Sequence, residues 1–422
     1  VNGLRLTGTD LSTETMPSLN DDALFFNNNG EHGLGKFIYN STGYLDGYLS
    51  EVNFIDGQAL TPADFGETGD YGEWKPVEYS GTYGTNGFYL PFKQDYTVEG
   101  FSTVTWKGNG TNGHYIGGTG FKPSLSWMKE RSSTSEHRLF DRVRGESRRI
   151  VSNSTAAEAY DASNLQTFAN DGFTLGNSGS VNASSDTYVA WNWDMGADTP
   201  TGFGCVTWTG NAVDGREISG VGFQPDLVWL KSRSDADHNY VQDSVRGAQK
   251  QLITAETGAE TSYTNGVKSF TPDGFTLGTS NWAGENNQTR VAWCWDMGNT
   301  TATNTSGTIN SSVRANPTYG QSIISYTGNG TAGATVGHGL NSAPEMMIVK
   351  RRSSSQSWFV YHKDFGTPGH WQAKLNNTDA PFDDPGAWND TAPSNSLITF
   401  GNSGATNQSS GTFIAYCFHS VS

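Results

Sequence analysis

Three cysteines in 422 residues are too few for a disulfide framework, and an odd number leaves at least one thiol unpaired. Cys205, Cys294 and Cys417 each lie in an apolar, strand-like run, at spacings that match no metal motif. Free buried thiols are expected, with a Cys205–Cys294 bridge between the first and last strands of one repeat as the alternative. Charge is also scarce: 16% of residues are Asp, Glu, Lys or Arg, against about 25% in ordinary globular chains. With 52 glycines, this excludes a fold of long amphipathic helices, which need charge on the wet face and few glycines. Basic residues are scarcer still. Lys and Arg number 26 against 42 Asp and Glu, a net charge of −16 that repels phosphate backbones and anionic membrane surfaces, so nucleic acid is not an expected partner. No run approaches ~18 consecutive apolar residues, and no helical membrane span or membrane insertion is expected.

What remains is strand and turn vocabulary. Aromatics reach 12% with 13 Trp, and together with Thr, Ser, Asn and Gly they predict an all-β protein. The chain is also self-similar. Trp106 recurs as Trp208, Phe121 as Phe223, Arg144-Gly145 as Arg246-Gly247, Gly172-Phe-Thr-Leu-Gly176 as Gly274-Phe-Thr-Leu-Gly278, and Trp191 as Trp293, always at an offset of 102. A constant offset without drift means two tandem copies of one domain. A diverged third copy follows, in which Gly328-Asn-Gly330 matches Gly108-Asn-Gly110, Lys350 matches Lys129, and Gly401-Asn-Ser-Gly404 matches Gly176-Asn-Ser-Gly179. Its insertions fall mostly between Tyr361 and Ser396.

Alternation within each copy reads as strands. In Thr187–Trp193, Tyr188, Ala190 and Asn192 share one face while Thr187, Val189, Trp191 and Trp193 share the other. The expected organisation is residues 1–98 as an incomplete concanavalin A-like sandwich, β-sandwich or jelly-roll modules at 99–198 and 199–298, an Asn/Thr/Ser-rich linker at 299–318, and a third module at 319–422. Tandem modules on short linkers are expected to form an elongated rod. Residues 1–98 hold too few strands for a whole sandwich, so a preceding segment or another chain is expected to complete it.

The first segment carries a likeness. Tyr44-Leu-Asp-Gly-Tyr48 running through Asp56-Gly-Gln-Ala-Leu-Thr-Pro-Ala-Asp-Phe65, then Trp74-Lys-Pro76 and Gly81-Thr-Tyr-Gly-Thr-Asn-Gly-Phe-Tyr-Leu90, closely resembles the C-terminal half of concanavalin A-like (laminin-G-like) domains in marine bacteriophage tail and fibre proteins. The later copies resemble a companion domain of uncharacterised function in the same phage proteins, marked here by Gly120-Phe-Lys-Pro123, Val143-Arg-Gly145, Asp171-Gly-Phe-Thr-Leu-Gly176, Trp191-Asn-Trp-Asp-Met-Gly196 and Val313-Arg-Ala-Asn-Pro317. The resemblance implies a virion structural protein: a tail fibre or surface appendage at the virion surface, or extracellular, forming a homotrimer with other virion proteins as neighbours. It supplies no catalytic residues. The third copy departs from it, ending Tyr416-Cys-Phe-His419 where the others have Trp-x-Trp-Asp, which argues against a shared role for Asp194 and Asp296.

Residues common to all copies are read as scaffold, and residues peculiar to one copy as the place where function differs. Trp106, Trp127, Trp191 and Trp193, with Trp208, Trp229, Trp293 and Trp295, are therefore expected in the core. The loop residues Trp371, Asn376, Asn377, Asp379, Asp383, Asp384 and Trp388 form the richest candidate glycan site, joined by Trp358, Trp282, Tyr160 and Tyr263. A pyranose stacks its apolar face on an indole while Asn and Asp take its hydroxyls. Arg131, Arg138, Arg142, Arg148 and Arg149 concentrate positive charge in the first copy; they are read either as a solvated face paired with local acids or as a patch for a partner subunit or anionic polysaccharide. Arg144 and Arg246, being shared, are expected to serve structure.

Catalytic motifs are missing. Glu51 and Asp56 are too offset on a strand for the ~5–5.5 Å carboxylate pair of a retaining glycosidase, and nucleophile-elbow, phosphate-loop and zincin patterns do not occur. No cofactor or metal site is expected beyond Ca²⁺ at Asp46 and Asp56. The sequence thus points to non-catalytic attachment of a virion to host-surface polysaccharide. A head-decoration or assembly protein, an exopolysaccharide depolymerase and a bacterial adhesin are the alternatives.

Overall fold

A computed structural model describes residues 34, 51–68, 74–90, 100–196 and 202–421. The chain is all-β and divides into two compact units, residues 1–94 and 95–422. In the first unit Val52–Phe54 pairs antiparallel with Phe88–Leu90, and Gly66–Thr68 with Trp74–Pro76. The Asp56 carboxylate accepts hydrogen bonds from the Asn86 amide N at 3.1 Å and its side chain at 3.0 Å. Asp46, its proposed Ca²⁺ partner, lies outside the described residues.

In the second unit each copy is a sandwich. The first module has a six-stranded antiparallel sheet in the order 159–160, 148–151, 138–141, 125–130, 187–193, 101–107, facing a three-stranded sheet 165–169, 172–175, 114–117. The second module repeats both sheets strand for strand. The shared Asp-Gly turn shows why the motif recurs. Asp171 accepts the N–H groups of Gly118 at 2.9 Å and Gly120 at 2.7 Å, and Gly172 has φ +141°, where a Cβ would fall 1.9 Å from the Ile116 carbonyl oxygen. Asp273 repeats both bonds to Gly220 and Gly222.

The third module corrects one expectation. Residues 299–318 are not a linker: Thr301–Asn304 and Ser311–Asn316 form a hairpin at the edge of an eight-stranded sheet. Alternating Thr and a single Val supply the strand chemistry, since Val313 buries into this module's core while Arg314 pairs with Asp226 of the second module at 2.7 Å.

Both faces of each large sheet are buried. Tyr188 and Ala190 point into the first module's own core, while Val189, Trp191 and Trp193 enter a second core shared by all three modules. At its centre Trp193, Trp295 and Phe418, at equivalent positions, meet with ring centroids 5.3–6.4 Å apart. All eight shared tryptophans are buried. The modules therefore close on one another instead of stringing out as a rod. A sheet whose strands are apolar on both faces has to be covered twice. Cys205 and Cys294 share a pair of strands but enter different cores, so they cannot be bridged, and all three cysteines are free.

The same ties recur around the ring. The Asp237 amide donates to Thr155 O at 2.8 Å, the Gln356 amide to Thr257 O at 2.8 Å, and the Ser135 amide to Thr378 O at 2.8 Å. Beside them Asn239 donates to Val151 O, Trp358 to Ile253 O, and His137 to Lys374 O. Two seams are locked by bidentate ion pairs, Arg233 on Glu158 and Arg352 on Glu260. Between the third module and the first, Pro381 stands where Glu158 and Glu260 stand, three residues after the shared Thr, and that lock has no counterpart.

Candidate functional site

Most of the buried charge belongs to the seams. Arg144 and Arg246 have no exposed side-chain surface; each sits 2.5 Å from an equally buried aspartate, Asp141 or Asp243, and reaches Glu158 or Glu260. Asp141 also accepts the Trp293 indole N–H at 3.0 Å, and Asp243 the Tyr416 hydroxyl at 2.7 Å, which couples each pair to the next module. The third module has His362 in place of that aspartate. His362 lies 2.8 Å from Thr103 Oγ1, and the Trp191 indole N–H has no hydrogen-bond partner.

Lys129, Lys231 and Lys350 are buried and aim their ammonium groups at backbone carbonyls across the seams, at Thr378, Thr155 and Thr257. Burial pushes each down to about 8. The sign of the effect is specific. An unfolded lysine holds its proton to about 10.5, so between 8 and 10.5 the unfolded state binds more protons and stability rises with pH. The buried thiols oppose this above 9.0, because burial pushes their values up. The melting midpoint is therefore expected to climb from about pH 7.5 to about pH 9 and then level off, as three thiols cancel three lysines; a midpoint that falls between about pH 7.5 and about pH 9 would contradict the buried-lysine account.

The structure separates the expected glycan residues. Trp388 and Trp358 are each 1% exposed and Trp282 is 7% exposed, so none of the three can stack on a sugar. Trp388 packs on Tyr361 and Phe400, Trp358 ties a seam, and Trp282 stacks on Tyr240 at 4.1 Å. Each has more apolar area than a loop can leave wet. Asn376 accepts the Trp358 amide at 2.9 Å, and Asn377 pairs with Asp379. Tyr160 is 68% exposed with Arg148 over its ring, and Tyr263 is 38% exposed. The five arginines do not form a free basic patch. Arg138 is buried beside Glu136, Arg142 faces Asp194, Arg148 pairs with Glu158, Arg149 lies near Asp161, and Arg131 sits at the third seam facing Asp364.

One part of the expected site does assemble. Half-buried Trp371 pairs across the sheet with Asp383, next to Asp384, which caps a short helix by accepting the Gly386 amide at 2.9 Å and the Gln372 side chain at 3.0 Å. Two further residues join, His370 and Asp390. His370 Nδ1 is 3.3 Å from an Asp390 oxygen and 3.8 Å from an Asp383 oxygen. Among the described residues this is the one His/Cys/Asp/Glu group close enough to hold a divalent ion. Without an ion it is a half-buried imidazole between two exposed carboxylates, able to take sugar hydroxyls. The sequence reading missed His370 and Asp390 because both occur in the third copy alone and no short-range spacing joins them.

A family model described as a domain of unknown function (DUF7483) matches residues 97–203, the first module, and residues 198–422, the other two. No curated protein matches the chain.

Proposed function

We propose that this chain, which belongs to the DUF7483 family of domains of unknown function, is a virion structural protein that attaches to host-surface glycans without catalysis. One observation carries the reading. Residues common to the copies are consumed in the shared core and the seams, whereas the polar surface around His370, Trp371, Asp383, Asp384 and Asp390 exists in one copy only. A closed three-module body is a rigid mount for such a surface, and rigid presentation lowers the entropic cost of binding. The three buried lysines with strongly lowered values serve the seams, each held by backbone carbonyls, which favours attachment over depolymerisation. In this reading the chain lies at the virion surface, with homotrimer and virion contacts made outside the closed seams.

The test is retention of purified protein on immobilised host capsule or lipopolysaccharide, compared with an Asp383→Ala/Asp390→Ala variant. The variant is expected to lose about tenfold or more in affinity, the loss of one to two charge-assisted hydrogen bonds. Equal retention of both proteins, or release of reducing ends from the polysaccharide, would overturn the proposal. A purely structural role is favoured by a different observation, the burial of Trp358 and Trp388, and predicts no retention at all.

A further inference from the structure

The first module differs from its siblings at one seam. Its Arg138 stands where the second module has Tyr240, and its Ser180 stands where the second has Trp282. In the second module those two rings stack and fill the space. In the third, Phe359 and Ala405 occupy it, both buried. In the first, the exchange leaves a cleft of about 360 Å³. Its walls are Glu130, Ser135, Glu136, Arg138 and Ser180, with Thr378 contributed by the third module.

The lining is charged where the scaffold does not require it. Arg138 is 6% exposed and Glu130 is 5% exposed. Arg138 Nη1 donates to Ser135 Oγ at 3.0 Å and to the Glu136 carbonyl at 3.3 Å, and its Nη2 lies 3.5 Å from the Glu136 carboxylate. Burial, with the neighbouring Asp186 charge, holds the Glu130 carboxyl above its usual range. Tyr240 and Phe359 show that an apolar ring closes the same space. Buried charge retained at such a position is unlike scaffold and like a recognition site.

We propose that this cleft binds one saccharide unit, neutral or bearing an ammonium group. A guanidinium beside a carboxylate presents donors and acceptors at the spacing of a vicinal diol. At the cleft wall two carboxyl groups face one guanidinium, with the Lys129 ammonium buried behind it on the Thr378 carbonyl, so the exposed lining repels uronates and sulfates while accepting an amino sugar. The inference rests on the attachment reading and adds to it a second site, at the seam between the first and third modules.

The test uses the full chain and three probes, glucosamine, methyl glucoside and glucuronate, followed by ligand-observed NMR. Signal transfer to glucosamine or methyl glucoside and none to glucuronate is expected. Ser180→Trp, which sets an indole over Arg138 as Trp282 lies over Tyr240, should weaken binding at least tenfold with an unchanged melting midpoint. Glu136→Lys, a milder change at the cleft rim, should admit glucuronate. Binding of glucosamine or methyl glucoside that survives Ser180→Trp, a Glu136→Lys variant that still excludes glucuronate, or no binding of any probe, overturns the cleft. If the wild type and Ser180→Trp are still retained equally on host polysaccharide, the cleft fails and the attachment reading stands; if the wild type itself is not retained, the attachment reading fails.

Discussion

Taking the protein from pH 7 to pH 4.5 is expected to remove about 5 kcal/mol of stability and to open the seam between the third and first modules before the other two. Two polar ties of that seam run through histidine, where the other seams use Asn239 or Trp358 and Asp141 or Asp243. His137 accepts the Trp127 indole N–H at Nδ1 and donates from Nε2 to Lys374 O, so its geometry requires the neutral ring. Burial and the nearby Lys129 and Arg138 charges hold its value well below 6.5. His362 is pushed down to about 3 by burial and by Lys363 and Arg131. A histidine with a depressed folded value contributes stability above about pH 6.5 and loses it as pH falls. The loss is about 1.4 kcal/mol per pH unit for each ring. His338, pushed down to about 4, adds a third such loss, and Asp226, raised to about 6, offsets roughly one of them. His137→Asn is the discriminating variant, because Asn239 already makes the equivalent bonds in the second module, to the Trp229 indole and to Val151 O. Chemical-denaturation curves at pH 7, 5.5 and 4.5 should show the variant losing markedly less stability than the wild type. Parallel losses would remove His137 from the account.

Asp243→Asn is the substitution expected to do most damage at neutral pH, about 3–5 kcal/mol, the usual effect of breaking one partner out of a buried ion pair. It strips the carboxylate that Arg246 faces with no exposed surface, and it weakens the acceptor for the Tyr416 hydroxyl of the third module. Arg246 keeps Glu260 at 3.3 Å and the Val241 carbonyl at 3.0 Å, which limits the damage. Tyr416→Phe alone should lose about 1 kcal/mol, and the double variant less than the sum, since the two side chains share one bond. Strict additivity in such a cycle would show that the aspartate does not couple the modules.

Strand chemistry, the 102-residue repeat and the burial of the shared tryptophans were legible because each depends on local alternation and composition. Closure of the ring was half written in the sequence. The run Tyr188-Val-Ala-Trp-Asn-Trp193 sets Tyr188 and Ala190 on one face and Val189, Trp191 and Trp193 on the other, which calls for a second covering layer, yet nothing local says that sister modules provide it. Residues 299–318 look like a linker because Thr, Asn and Ser are as common in loops as at sheet edges, and only pairing with Gln321–Thr327 decides. The loop tryptophans misled for a related reason: Trp358 and Trp388 lie in irregular sequence, but their burial is set by long-range contacts with Ile253 and Phe400. The His370–Asp383–Asp390 cluster was illegible because a two-residue strand pairing and the fold of the following loop, both non-local, bring its members together.

The most direct test of ring closure is a cross-link across the seam that no peptide linker spans. Ser135→Cys with Thr378→Cys, placed in the full chain where the Ser135 amide meets Thr378 O at 2.8 Å, should oxidise to an intramolecular disulfide in a monomeric species, read by peptide mapping under non-reducing conditions. Free thiols at both positions, or links formed only between chains, would contradict a body in which the first and third modules close on one another.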